Sequence, residues 1–525
     1  MRHIELFAGC GGLSLGLASL DFELLLANEI SPMAAETFGY NFFDVNLSDS
    51  KADSSRVIWL NSSFNNIADR RRENPYLFPK LGELGYSDIP NNLVDLRGKL
   101  LVGSIVELNK YLSSSPEFVR LLSNSFGEGE VDLISGGPPC QSFSMAGLRQ
   151  LECERNTLPW EFAKFVGAVN PRFALLENVT GILRPFTDAG GRKVYAWYET
   201  AKAFCVKGYV PICLHINAKY VGVPQNRPRF IMIAVRHDLA RNIIDSQLIS
   251  NSDRSIIEAS LRFHEKVNQS SAEEVGYGAL KYYDIDKDQS FFTNSIFSCL
   301  RTCENFVSVG EAIKDLKFLT PEQPSNYVQQ LNQTFGCLAT DGSLKNHSPR
   351  KNSGIVKRRF RLYQVLAQIG SRAITNEVFA VLRGESSNIT DLAWSTLKAY
   401  QFLQEDGCTR KFKNRHEFIS FLRVHPTRKQ TQRALVEDFP APAALSIPDD
   451  ACHYDSTELR ALTVREMARI QSFPDSFVFR SKVTTGGKMR RFEVPQYTQV
   501  GNAVPPLLAR QLGVLVRRLS HASMH

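Results

Sequence analysis

No stretch of about 18 consecutive uncharged apolar residues occurs in the 525-residue sequence, so no membrane-spanning helix is expected. The opening MRHIELFAGCGG lacks the apolar core and small-residue cleavage site of a secretory leader. CxxC pairs are missing too: the ten cysteines, at 10, 140, 153, 205, 213, 299, 303, 337, 408 and 452, show no framework spacing. That pattern fits a reduced, cytoplasmic setting rather than a disulfide scaffold. Cys299 and Cys303 stand four apart with no second Cys/His pair at zinc spacing, so they read as core residues and no metal is expected. Internal repeats and low-complexity runs are absent as well. What remains is ordinary globular material, 43% hydrophobic and 22% charged, long enough for more than one domain.

Charge is unevenly placed. Residues 342–433 hold 18 Lys and Arg against 6 Asp and Glu, a local net of +12, which leaves −4 for the rest of a chain whose total is +8. A polyanion meeting one part of the molecule explains such an asymmetry, and a solvated basic face is the plainer alternative.

The N-terminal third alternates short apolar runs with amphipathic ones. His3 to Phe7 reads as a strand; Gly9, Gly11 and Gly12 as a tight turn; Leu13, Leu15, Leu17 and Leu20 as a helix; Leu24 to Asn28 as the next strand. Glu29 closes that second strand 18 residues after Gly11, where a carboxylate reaches the ribose of a bound nucleoside. The G-x-G-G spacing suits a nucleoside without a pyrophosphate. Further strand ends fall at DLISGG, FALLENV (Phe173–Val179) and PRFIMIAVRH, so a mostly parallel sheet with a crevice at the strand carboxyl ends is expected. Cys140, at the mouth of the loop in GGPPCQSFS, and Glu177 both fall at that edge.

FAGCGGLSLGL, GGPPCQSFS, ENV, QNRPRF, RALTVREMARIQSFPDSF and QVGNAVPP stand in the order typical of DNA (cytosine-5) methyltransferases, which the chain resembles from Ile4 to about Pro506. The resemblance is to the bacterial and phage restriction-modification type. It implies an α/β fold: a Rossmann-like S-adenosylmethionine-dependent methyltransferase domain with an inserted DNA target-recognition domain. It implies Cys140 as the nucleophile, Glu177 at the base's N3, and Arg227 and Arg229 beside the reacting base. Two arginines there would also favour the thiolate. Phe7, Gly9, Gly11, Leu13, Glu29, Leu158 and Asn502 would hold S-adenosylmethionine, released as S-adenosylhomocysteine. One departure is visible: Gly103-Ser104-Ile105 stands where the family usually has Gly-Asp-Ile, so the acid for the adenine amino group is missing and Ser104 is left unassigned.

The substrate implied is double-stranded DNA, with the enzyme a monomer on it in the bacterial cytoplasm and a cognate restriction endonuclease acting separately. Gln141, Ser142 and Ser144 would then sit by the flipped base, with Gly147 as a hinge. Between Phe230 and Leu462 no catalytic signature occurs, and the basic excess lies there. Lys345, Arg350, Lys357, Arg358 and Arg428 are the DNA-contact candidates, with His347 and Pro349 in the same NHSPR run. The expected division is 1–237 sheet domain with an insertion at about 44–100, 238–455 recognition domain, 456–495 brace, and 496–525 returning to the sheet. The 44–100 insertion, with Arg70-Arg71-Arg72, reads either as a DNA-side lobe or as a surface excursion. A transfer-RNA cytosine methyltransferase and a catalytically inactive DNA-binding relative are the alternatives.

Overall fold

Strands covered on both faces bury nearly every side chain, and the interior strands here are mostly apolar, with polar exceptions that include Glu5, Asn28, Glu29, Glu177 and Asn178. The computed structural model describes residues 1–49, 54–139, 157–187, 191–270, 272, 274–336, 344–427, 432–443 and 446–524. Its main sheet contains β1 (Arg2–Leu6), β2 (Glu23–Glu29), β3 (Val57–Trp59), β4 (Lys99–Val102), β5 (Leu133–Gly136), β6 (Phe173–Val179), β7 (Tyr209–Asn217), β8 (Pro228–Arg236) and β9 (Tyr282–Asp284). They are hydrogen-bonded in the order β9-β7-β8-β6-β5-β1-β2-β4-β3. From β6 across to β3 all pairings are parallel, whereas β8 runs antiparallel to both β6 and β7. The chain leaves β1 toward β2 on one side and later returns to β5 on the other. At such a reversal the connecting loops diverge and open a crevice above the strand ends.

Helix α1 (Gly12–Ala18) starts directly from the glycine turn, and α2 (Pro32–Phe43) starts just after β2 with Ser31 as its cap. Helix α3 (Leu158–Val169) begins with Pro159 in its first turn and ends at Asn170 in the left-handed region. It buries Phe162, Phe165 and Val166 under the sheet, about 1.5–3 kcal/mol for each large side chain. The C-terminal QVGNAVPP stretch forms a short helix, Gln496–Asn502, followed by a long one, Pro506–Ala522. The long helix crosses α1 so closely that a Cβ on Gly16 would run into Ala509 and the backbone of Pro506 and Arg510. Leu13, Leu17 and Leu20 pack there with Leu508, Leu512 and Val516.

Two parts of the sheet lie outside the bounds read from the sequence. β3 comes from the interval 44–100 and forms the edge beside β4, with Val57, Ile58 and Trp59 buried. β9 lies beyond residue 237 and pairs with β7, and Ile256, Ile257, Phe297 and Leu300 pack into the same core as Leu512 and Val516. The stretch from Val309 to Leu331 instead shares a core with Leu462 to Phe479. A further core is built within Phe360–Ala461, around Phe402, Phe418 and Leu422. Residues 238–300, read from the sequence as the start of the recognition region, are therefore packed as part of the sheet domain. Amphipathic helices carry the same periodicity wherever they dock, which is why the pattern could not separate these segments.

The brace is Val464–Ile470, opened by a capping box in which Thr463 accepts from the Glu466 backbone and Glu466 accepts from the Thr463 backbone. Glu466 also accepts from both guanidinium ends of Arg460 at 2.7 Å. Arg465 is fully buried and donates to the carbonyls of Pro474, Phe477 and Lys345. His347 stacks on Phe318 at 4.5 Å, and its Nδ1 lies 3.0 Å from Thr463 Oγ1. The NHSPR run thus ties the start of the basic region to the brace.

Candidate active site

The turn after β1 needs backbone that most residues avoid. Phe7, Gly9 and Gly11 have φ of 55°, 57° and 96°, and a side chain on Gly11 would strike the rings of Phe42 and Phe38. This places the Gly9 N–H 2.8 Å from Glu29 Oε2, while Ser31 donates to Oε1 at 2.7 Å. Burial raises the Glu29 pKa, and those two N–H donors hold it back. One carboxylate therefore fixes the glycine turn, the end of β2 and the start of α2 relative to each other.

Over these strand ends lies a cavity of about 430 Å³. Phe7, Gly9, Leu13 and Glu29 line one side, Glu177 and Arg229 line another, and Asn502 reaches it from the far end of the chain. Beneath it sits Glu5 on β1, which burial pushes up to about 8 and which accepts a hydrogen bond from Ser14 Oγ. A neutral carboxyl under the crevice is the result. Cys10 also lines the wall, but burial pushes its thiol far up and its sulfur donates to the Gln499 carbonyl at 3.7 Å. It is not disposed to ionise.

At the tip of β6, Glu177 Oε1 lies 2.7 Å from Arg229 Nε, both largely buried. Asn178 turns the other way and donates to the Pro138 carbonyl at 2.9 Å, tying β6 to the Pro-Pro segment. That segment leads straight to Cys140, which itself lies outside the described residues, as do Gln141, Ser142, Ser144, Gly147 and Arg428. Arg227 is buried and donates from Nη2 to the carbonyls of Gly501 and Ala503, at 2.8 and 3.0 Å. Burial pulls its pKa well down. Its hydrogen bonds hold the C-terminal segment onto the sheet.

Most of the sequence-derived cofactor residues thus converge, with two exceptions. Gly11 supports the turn from behind, and Leu158 opens α3 and packs against the core of the sheet domain. Ser104 is the cap of helix Ile105–Ser114, its Oγ accepting from Val106, so the departure from Gly-Asp-Ile becomes a helix start. Of the DNA candidates, Lys345, Arg350 and Lys357 are exposed. Arg358 is partly committed inside, its Nε donating to His425 Nε2 at 2.8 Å. Sequence reading missed Glu5, Asn178 and Gln499. The Gln499 side chain donates to the Met33 and Val494 carbonyls and accepts from Thr37, locking α2 to the C-terminal segment. The ENV and QVGN runs were the available signals for two of them.

Residues 1–65 and 117–516 match the model of the C-5 cytosine-specific DNA methylase family. The chain belongs to that family. It is 25% identical over 519 residues to the type II methyltransferase M.DdeI of Desulfomicrobium norvegicum, covering 98% of this chain and 87% of that one. To M.Bpa9945I of Bacillus paralicheniformis it is 24% identical over 544 residues, covering 98% of each. Among solved structures, the Dnmt2 methyltransferase of S. pombe aligns over 98% of both chains at 15% identity, with a TM-score of 0.39. As a cytosine-5 DNA methylase, the chain matches its family on both sides of residues 66–116 and not across them. The departing stretch includes the sheet strand β4 and the lobe that precedes it.

Proposed function

We propose that this methylase transfers the methyl group of S-adenosylmethionine to carbon 5 of a flipped cytosine in duplex DNA, through a covalent adduct of Cys140 at carbon 6. The observation carrying the reading is the Glu177–Arg229 pair at the β6 tip, tied through Asn178 to the Pro-Pro segment that leads to Cys140 and opening on one cavity with Glu29. The residues fit the donor: a carboxylate at the end of β2 for ribose hydroxyls, apolar walls at Phe7 and Leu13, and room for a nucleoside.

Carbon 5 of cytosine is too poor a nucleophile to attack unaided. The Cys140 thiolate adds to carbon 6, and the electron pair of the 5,6 double bond becomes available at carbon 5. Glu177 gives a proton or a strong hydrogen bond to N3, where negative charge develops. Arg229 holds that carboxyl in place, and Arg227 acts as a positioning residue through the Gly501 and Ala503 carbonyls. When bound, S-adenosylmethionine supplies an electrophilic methyl to carbon 5. Loss of the carbon 5 proton to a base then expels the Cys140 thiolate and restores the ring.

A stacked base cannot reach the crevice, so the target is turned out of the duplex at a cost of roughly a few kcal/mol. The region with its own core within Phe360–Ala461 and its exposed cations reads the site, a single copy of the enzyme serving one site. Bisulfite sequencing of DNA from cells expressing the protein tests this. New methylcytosine in one sequence context is expected with the wild type and none with Cys140→Ala. Soluble wild-type protein that leaves the DNA unmethylated would overturn the reading.

A further inference from the structure

The lobe that precedes β4 reaches into the donor crevice. Pro75 and Tyr76 form part of the cavity wall together with Ile30, Ser31 and Ala34, and Tyr76 is about half exposed at the rim. They lie in residues 66–116, which the family model does not match. Three sets of contacts hold the lobe in place. Arg71 pairs with Glu36 of α2 at 3.0 Å, and Glu36 is almost wholly buried. Arg70 pairs with Asp88 at 2.6 Å and lies over the Trp59 ring on β3. Glu73 is buried and accepts from Ser62 Oγ at 2.5 Å and the Ser63 N–H at 2.9 Å, just ahead of Asn74, which caps the turn at Pro75–Leu77. Two ion pairs, each with one buried member, and the buried Glu73 carboxylate fix the lobe against β3 and α2.

The tethers settle which end of the crevice this is. Glu36 lies on the helix that starts beside Glu29, and Trp59 on the β3 edge. Glu177, on β6, lies three strands from β2, on the order of 14 Å at about 4.8 Å per strand. Tyr76 therefore stands at the nucleoside end, away from the reacting carbon. Aromatic rings are general partners for the face of a base.

We propose that Tyr76 contacts the adenosyl half of the methyl donor and that the lobe closes this side of the crevice. The inference rests on the donor assignment above. The test is calorimetric titration of S-adenosylhomocysteine into the full-length wild type, Tyr76→Ala and Tyr76→Phe, with KM for S-adenosylmethionine, kcat and DNA affinity measured alongside. Tyr76→Ala should bind the product roughly tenfold more weakly and show a matching rise in donor KM. Its kcat at saturating donor, its DNA affinity and its ligand-free melting temperature should stay near wild type, and Tyr76→Phe should bind within about twofold of wild type. Wild-type affinity in Tyr76→Ala overturns the proposal alone, and so does a loss confined to DNA binding. A wild type that binds no S-adenosylhomocysteine overturns the donor assignment with it.

Discussion

Glu5 and Glu177 are both acids near one cavity, and their surroundings separate them. Burial raises the Glu5 carboxyl from 4.5 to about 8 against the opposing pull of the Ser14 hydroxyl, and Glu177 is paired with the Arg229 guanidinium. The Glu5 shift has a definite sign in stability. Between pH 4.5 and 8 the unfolded chain ionises this group while the folded chain does not, so stability falls as pH rises through that window and levels off above it. Glu5→Gln removes the ionisation. Its melting temperature should gain on the wild type from about pH 5 to about pH 8, a difference of a few kcal/mol, and then run parallel. Melting curves that stay equally spaced across that range would contradict this. Arg229→Ala strips the partner from a buried carboxylate, and a loss of about 3–5 kcal/mol is expected in chemical denaturation, along with loss of methylation. Glu177 was legible in the sequence because its motif marks a strand end. Glu5 was not, since an acid within a five-residue strand gives no sign of whether water or a hydroxyl faces it.

The elements of the central sheet were legible because β1, β2, β5, β6 and β8 are apolar runs ended by glycine, proline or a polar pair. β3 and β9 were not, being three-residue edge strands with no period to read. Helix pairing was equally hidden, and Gly16 shows why. Propensity alone favours alanine there by about 1 kcal/mol. The crossing of α1 with Pro506–Ala522 leaves no room for a methyl group, so Gly16→Ala should lower the melting temperature and weaken donor binding through the glycine turn. A stabilised variant would show that the two helices are further apart. The brace separates a cap from a charge in the same way. Thr463→Ala loses a capping oxygen, about 1 kcal/mol, whereas Glu466→Ala leaves Arg460 buried beside only Glu458 and should cost about 3–5 kcal/mol in denaturant melts.

At the scale of the whole molecule, charge and covering divide the work. The sheet domain carries the crevice and closes it with the lobe around Tyr76, and the segment within Phe360–Ala461 has its own core and overlaps the basic stretch 342–433. The sequence made the basic excess plain but not which cations are available. Arg350 is exposed and stands 4.0 Å from Asp449, and Lys357 is exposed, while Arg358 is engaged by His425. On DNA, Arg350→Ala and Lys357→Ala should each reduce the slope of log affinity against log salt by about 1, and Arg358→Ala should act mainly on stability. The central claim is the bond between Cys140 and cytosine. Duplex DNA with 5-fluorocytosine at the target retains fluorine where a proton must leave, so the adduct formed after methyl transfer cannot be released. Mass spectrometry of the trapped, digested complex should find the methylated nucleotide on the peptide containing Cys140. An adduct on Cys10, or normal methylation of ordinary DNA with no trapped complex on the fluorinated one, would contradict the account.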